Sequence, residues 1–213
     1  MKKVIIPLIL LLAVAFLMAV ESDPSDTVGY VKYDLLAGRN LVALPMASGY
    51  AMASDLGGAT GATNVSMWNA TTQGWNQADD LGFMWLGDFA VADGNAYMLN
   101  VNSAGTFYCA GAMITQPNYT LLVGRNTIMV PLDRSDLAMA GTLGTEIGAT
   151  NVSMWNATNQ GWNQADDLGF MWLGDFGIEI GMPLMINTTI GGTWPITRTS
   201  TSPLRSSRGR SIK

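Results

Sequence analysis

"NVSMWNATTQGWNQADDLGFMWLGDF" occupies residues 64–89, and the chain writes it again at 151–176 with Asn159 where Thr72 stands. The near-identity extends back to Gly61 and Gly148 and stops there; the flanks have drifted. Upstream, "LLAGRNLVALPM" at 35–46 answers "LLVGRNTIMVPL" at 121–132, and downstream "GNAYMLNVNSAGTF" at 94–107 answers "GMPLMINTTIGGTW" at 181–194. A fixed period of this kind marks a tandem repeat, with one supersecondary unit per copy. The copies run over residues 28–112 and 113–197, each about 85 residues long, the size of a small domain that gains by burying surface against a neighbour.

Each copy reads as strands. "NLVALPM" and "NTIMVPL" are short, apolar and closed by proline. "NVSMW" runs into "WNATTQGW", a hairpin with a polar loop in which Gly74 is expected to take the positive-φ corner, so that Trp68 faces Trp75 and Trp155 faces Trp162 across the strands. "AYMLNVN" and "PLMINTT" alternate as a further strand, and the glycines after them turn into a last one. One short helix is expected at "YAMASDL" and at "DLAMAGTLG". The fold class is mainly β: two tandem small β-sandwich-like modules, each with at most one short helix.

Outside the repeats, "MKK" precedes an apolar run from Val4 to Val20, a pattern that predicts a secretory signal peptide over residues 1–22 and a linker at 23–27. No basic stop-transfer cluster follows, so no stable membrane span is expected after its removal, and the location implied is extracellular or cell-surface. From Glu21 to Thr197 sixteen acids face Lys32, Arg39, Arg125 and Arg134, a balance of −12, which argues against nucleic acid as a partner. The last residues, 198–213, carry five bases and no acid and read as a basic disordered tail. The single cysteine, Cys109, stands in an apolar strand pattern where the second copy has Ile196, and reads as a buried thiol.

The "GxNxxxLP" opening ("GRNLVALP", "GRNTIMVP"), the "WNxTxQGW" hairpin and the Gly-led closing strand resemble tandem secreted β-repeat modules of extracellular and surface proteins from anaerobic Gram-negative bacteria. The resemblance implies an extracellular, non-catalytic building block and brings no catalytic residues with it.

The residue inventory agrees in excluding much chemistry. With no histidine and one cysteine, a His general base, a Ser–His–Asp triad and a Cys/His zinc site have no parts. Asp79, Asp80 and Asp88 recur as Asp166, Asp167 and Asp175. Short loops leave little room for the cleft that paired glycosidase carboxylates need. The oxygen-rich loops with Asp79, Asp80, Asp166 and Asp167 suit calcium by ligand type, without EF-hand spacing; otherwise no cofactor is expected. Asn64, Asn69, Asn118, Asn151, Asn156 and Asn187 each open an Asn-X-Ser/Thr sequon.

The candidate contact residues are aromatic: Trp68, Trp75, Phe83, Trp85 and Phe89, with Trp155, Trp162, Phe170, Trp172 and Phe176. Two readings follow. In one, the repeated stretch makes the same contact in each module, and head-to-tail docking of one molecule's open face on the next builds an extracellular filament, sheath or layer from copies of this chain. In the other, the tryptophans bind extracellular glycans or other cells, with the duplication giving avidity.

Overall fold

The computed structural model describes residues 28–195, so the leader and basic tail expected from the sequence lie outside the described residues. The protein is mainly β. The first module consists of β1 (Val28–Leu35), β2 (Gly38–Ala43), α1 (Ala53–Thr60), β3 (Ala62–Asn69), β4 (Gly74–Asp80), β5 (Trp85–Leu86), β6 (Ala96–Val101) and β7 (Gly105–Ala112). The second repeats this with β8 (Tyr119–Leu121), β9 (Gly124–Met129), α2 (Ala140–Ile147), β10 (Ala149–Asn156), β11 (Gly161–Asp167), β12 (Trp172–Leu173), β13 (Pro183–Thr188) and β14 (Gly192–Trp194). Each module has a five-stranded antiparallel sheet, in the order β2-β6-β3-β4-β5 or β9-β13-β10-β11-β12, and a two-stranded ribbon, β1-β7 or β8-β14.

Period-2 alternation decides which side chains meet. On β3, Val65 is fully buried, and on β6 Tyr97, Leu99 and Val101 face the same way. They pack with Ala78 of β4, Leu56 of α1 and Phe107 and Cys109 of β7 into the first core. The second core repeats it with Val152, Leu184, Ile186, Ala165 and Leu143, closed by Trp194. Sheet, helix and ribbon thus form a sandwich-like layer pair in each module.

The helices sit slightly later than the Ser/Asp/Ala clusters suggest, because their ends are set by caps. Asp55 Oδ2 accepts from the Met52 and Ala51 amides at 2.9 and 3.1 Å, fixing the start of α1, and Gly61 ends it at φ 68°. With two glycines in eight residues α1 is intrinsically weak. Trp85 holds it: its ring lies so close over Gly57 that a Cβ there would collide with it. Trp172 covers Gly144 in the same way, and its indole N–H donates to Thr145 Oγ1 at 3.0 Å.

The β3–β4 hairpin has Trp68 opposite Trp75 with ring centroids 5.3 Å apart, edge to face, and Trp155 opposite Trp162 at 5.2 Å. The corner is not Gly74. The positive-φ residue is Gln73, at 52°, matched by Gln160 at 52°. Glutamine in this region is uncommon and strained, and the joint between the modules supplies the reason it is there.

Candidate module joint and twin polar clefts

Gln73 reaches from the first module to the second. The Arg125 amide donates to its Oε1 at 2.8 Å, and its Nε2 donates to the Arg125 carbonyl at 3.1 Å. Trp68 Nε1 donates to that same carbonyl at 2.7 Å. In the opposite direction, the Arg39 amide donates to Gln160 Oε1 at 2.7 Å, while Gln160 Nε2 and Trp155 Nε1 donate to the Arg39 carbonyl at 3.1 and 2.8 Å. Gly38 and Gly124, at φ 98° and 99°, let the partner carboxamide approach: a Cβ there would sit 2.7 and 2.6 Å from the glutamine Oε1. A second reciprocal pair crosses the joint. The Tyr33 hydroxyl donates to the Gly181 carbonyl at 3.1 Å, and the equivalent Tyr119 hydroxyl donates to the Gly94 carbonyl at 2.6 Å.

The modules therefore meet as two subunits do across a twofold axis, each offering the other the same groups. Both hairpin tips are engaged within one chain, so the contact closes on itself and does not continue head-to-tail.

The outward face of each sheet is polar. Strand register places Arg39, Asn100, Asn64 and Asp79 in one row across β2, β6, β3 and β4, and Arg125, Asn187, Asn151 and Asp166 in the matching row. Ser66 Oγ donates to Asn64 Oδ1, and Asn64 Nδ2 to Asp79 Oδ1, both at 2.7 Å; Ser153, Asn151 and Asp166 repeat this relay at 2.6 and 2.7 Å. Over each row lies a cleft, of about 280 Å³ in the first module and about 250 Å³ in the second, with Trp162 in the wall of both.

The carboxylates named from the sequence are dispersed. Asp79 and Asp80, consecutive on β4, project from opposite faces. Asp80 Oδ1 and Asp167 Oδ1 accept from the Gly82 and Gly169 amides at 2.7 Å and so shape turns. Asp88 accepts from Ser54, and Asp175 from the Gly141 amide, at the helix starts. Among the described residues no three His, Cys, Asp or Glu side chains stand together as a metal site. Of the sequon asparagines, Asn64 and Asn151 are committed to the relay, and Asn69 and Asn156 accept from the amides of their own hairpin loops. Asn118 is exposed, and Asn187 Nδ2 donates to Thr150 Oγ1.

The repeated aromatic residues separate into three groups. Trp68, Trp75, Trp155 and Trp162 gather at the joint. Trp85, Trp172, Phe89 and Phe176 pack on the cores. Phe83 and Phe170 stand in solvent, 83 % and 82 % exposed, beside half-exposed Met84, Leu86 and their counterparts Met171 and Leu173. These two apolar lips lie at the end of β4 and β11 away from the joint, about 20 Å along the strand at roughly 3.3 Å per residue.

Sequence reasoning alone did not single out Gln73, Gln160, Arg39, Arg125 or Asn100, and it named Asn187 only as a sequon. One signal was present in the repeat: between 97–101 and 184–188 the outward residues Met98 and Asn100 recur as Met185 and Asn187, while the inward Tyr97, Leu99 and Val101 have become Leu184, Ile186 and Thr188. No family model, curated protein or solved structure matches the chain. Among the described residues no helix is long and apolar enough to cross a membrane.

Proposed function

We propose that this chain is an exported, non-catalytic structural subunit that associates with copies of itself at a cell surface or in the extracellular space, through its two apolar lips. The observation that carries the reading is the pair Phe83 and Phe170: identical neighbours along the chain, more than four-fifths exposed, and outside both the cores and the joint. Exposed apolar clusters of this kind mark contact surfaces. Beside Phe170 lies a groove of about 480 Å³ lined by Gly144, Thr145, Gly148 and Trp172. A ring next to a groove is self-complementary, since each copy can place its ring in the other's groove.

Valence then sets the outcome. A lip-to-lip contact is itself two-sided, but a molecule carrying two lips at opposite ends passes the contact on. The product is a linear polymer. The test is sedimentation and negative-stain electron microscopy of residues 23–213. Wild type is expected to form filaments or larger arrays, Phe83→Ser or Phe170→Ser alone to stop at dimers, and the double variant to stay monomeric with an unchanged melting temperature. A wild-type chain that remains monomeric at high concentration overturns the reading.

A further inference from the structure

We infer that the two clefts over the Arg–Asn–Asn–Asp rows are a pair of equivalent binding sites for a neutral saccharide, independent of assembly through the lips. The first ground is the equivalence of the lining they share, although only the first cleft is also walled by tryptophans of the other module, Trp155 and Trp162. Asn64, Ser66, Trp75, Gln77 and Asp79 line one, and Asn151, Ser153, Trp162, Gln164 and Asp166 the other. The remaining shared lining comes from outside the near-identical stretch, and it too is unchanged: Arg39 and Arg125, Met98 and Met185, Asn100 and Asn187. On the strand that carries Met98 and Asn100 all three core-facing residues have changed, whereas on the other face the two that line the cleft are kept and only Ala96, Pro183 in the second module and in neither cleft, differs. Packing alone constrains the inward face at least as strongly as the outward one, so a duty on the outward face is needed to account for the pattern.

The second ground is the state of the charged groups. Of the four described cations, Lys32 pairs with Asp34, and Arg134 with Asp136 and Glu146. The guanidiniums of Arg39 and Arg125 pair with no carboxylate among the described residues, and both border clefts. Their backbones are meanwhile clamped on both amide and carbonyl by Gln160 and Gln73. The joint thus fixes the backbone from which an uncommitted donor group extends. At the other end of the row the relay from Ser66 through Asn64 holds one oxygen of Asp79 and leaves Oδ2 bound to no described side chain; the Gln77 carboxamide is likewise unengaged. The relay, preset by its own hydrogen bonds, reduces the ordering that a ligand must impose.

The lining specifies the ligand class. One guanidinium and one carboxylate cancel, so neither a polyanion nor a polycation is favoured. Carboxamides, a hydroxyl and a carboxylate match the paired donor and acceptor character of vicinal sugar hydroxyls. The indole of Trp75 offers an apolar face with a polar edge for a pyranose ring. At 250–280 Å³ each cleft is at the small end of ligand sites, which suits one or two sugar rings.

The experiment uses the Phe83→Ser/Phe170→Ser chain, so that failure of the assembly reading leaves it unaffected. This chain is applied to an array of neutral and N-acetylated oligosaccharides, and the best-retained sugar is titrated in solution by calorimetry. Two sugars per chain are expected. Gln77→Ala should remove one of them, and Gln77→Ala with Gln164→Ala should weaken binding at least tenfold, with melting temperature unchanged because both side chains are exposed. Retention of no neutral sugar at millimolar concentration overturns the inference, and so does binding that the double variant leaves intact. Retention only of charged polymers or peptides overturns it as well.

Discussion

Trp68 donates its indole N–H to the carbonyl of Arg125 at 2.7 Å, and Trp155 does the same to Arg39 at 2.8 Å. The two bonds are one contact made twice, in opposite directions. They turn a tandem repeat into a closed pair within one chain, and give the near-identical stretch a first reason to be near-identical: each hairpin must fit the other module's "GRN" turn. That turn is itself fixed by a buried asparagine. Asn40 accepts from the Leu36 amide and donates to the Leu36 and Gly38 carbonyls, and Asn126 does likewise with Leu122 and Gly124.

The glutamine hooks can be separated from the turn they sit in. Gln73→Ala and Gln160→Ala should each lower stability by about 1 kcal/mol, the usual net worth of such hydrogen bonds. Gln73→Gly is the informative variant, because glycine relieves the strain at φ 52°. If the side chain mattered only for the turn, glycine would stabilise. Because it also holds Arg125, the glycine variant should be no more stable than wild type in urea denaturation.

The helix glycines make a sharper contrast. Gly57→Ala and Gly144→Ala drive a methyl group into the Trp85 and Trp172 rings and should destabilise by about 2 kcal/mol or more. Gly58→Ala meets nothing within 4 Å and gains helix propensity, so it should stabilise by about 0.5–1 kcal/mol. Thermal melts of the three variants test whether the tryptophans of the repeat act as lids on the helices.

Acid should act on the second module through Glu146. Both its oxygens accept from Arg134, at 2.7 and 2.6 Å, and Oε1 also accepts from the Trp194 indole at 2.9 Å, tying α2 to the closing strand. The Arg134 guanidinium, and then the indole, hold its carboxyl below the ordinary glutamate value of 4.5. A carboxylate depressed in the folded state binds fewer protons than in the unfolded one, so its contribution is complete above pH 4.5 and fades as pH falls through the folded value. The fall in melting temperature between pH 7 and pH 3 should therefore be smaller in Glu146→Gln than in wild type. The first module has Ala59 at the equivalent position and lacks this device.

Cys109 is fully buried in the first core, and burial raises its thiol pKa. Both effects suppress the reactive thiolate. A maleimide or disulfide reagent at neutral pH should leave the native protein unlabelled and react fully in denaturant. The labelling rate in between reports the opening of β7.

How much of this was legible beforehand can be followed residue by residue. The repeat, the strand-rich character, the Trp68–Trp75 pairing and one helix per module follow from local pattern: period-2 alternation, turn residues and the Ser/Asp/Ala clusters. β1 and β8 were not foreseen, since "VGYVKYDL" and "YTL" carry no alternation as clear as that of their partners. Gln73 was misread in favour of Gly74 because, on local sterics, glycine is the better positive-φ residue. The reason for a strained glutamine lies in the other module.

The sequence by itself determined that there are two modules, that each is β-rich around an apolar strand face, and that the chain has no histidine and a single cysteine. Local propensity and residue type suffice for those conclusions. Tertiary structure alone decided what the repeated letters do: Trp68 holds a joint, Trp85 covers a helix, and Phe83 faces solvent, although all three lie within one stretch of eighteen residues. It also set Arg39 and Asp79 at the ends of one row, forty positions apart in the chain. Cross-strand register and the reciprocal docking of modules are long-range choices, fixed by which faces can be buried together, and no window of neighbouring residues contains them.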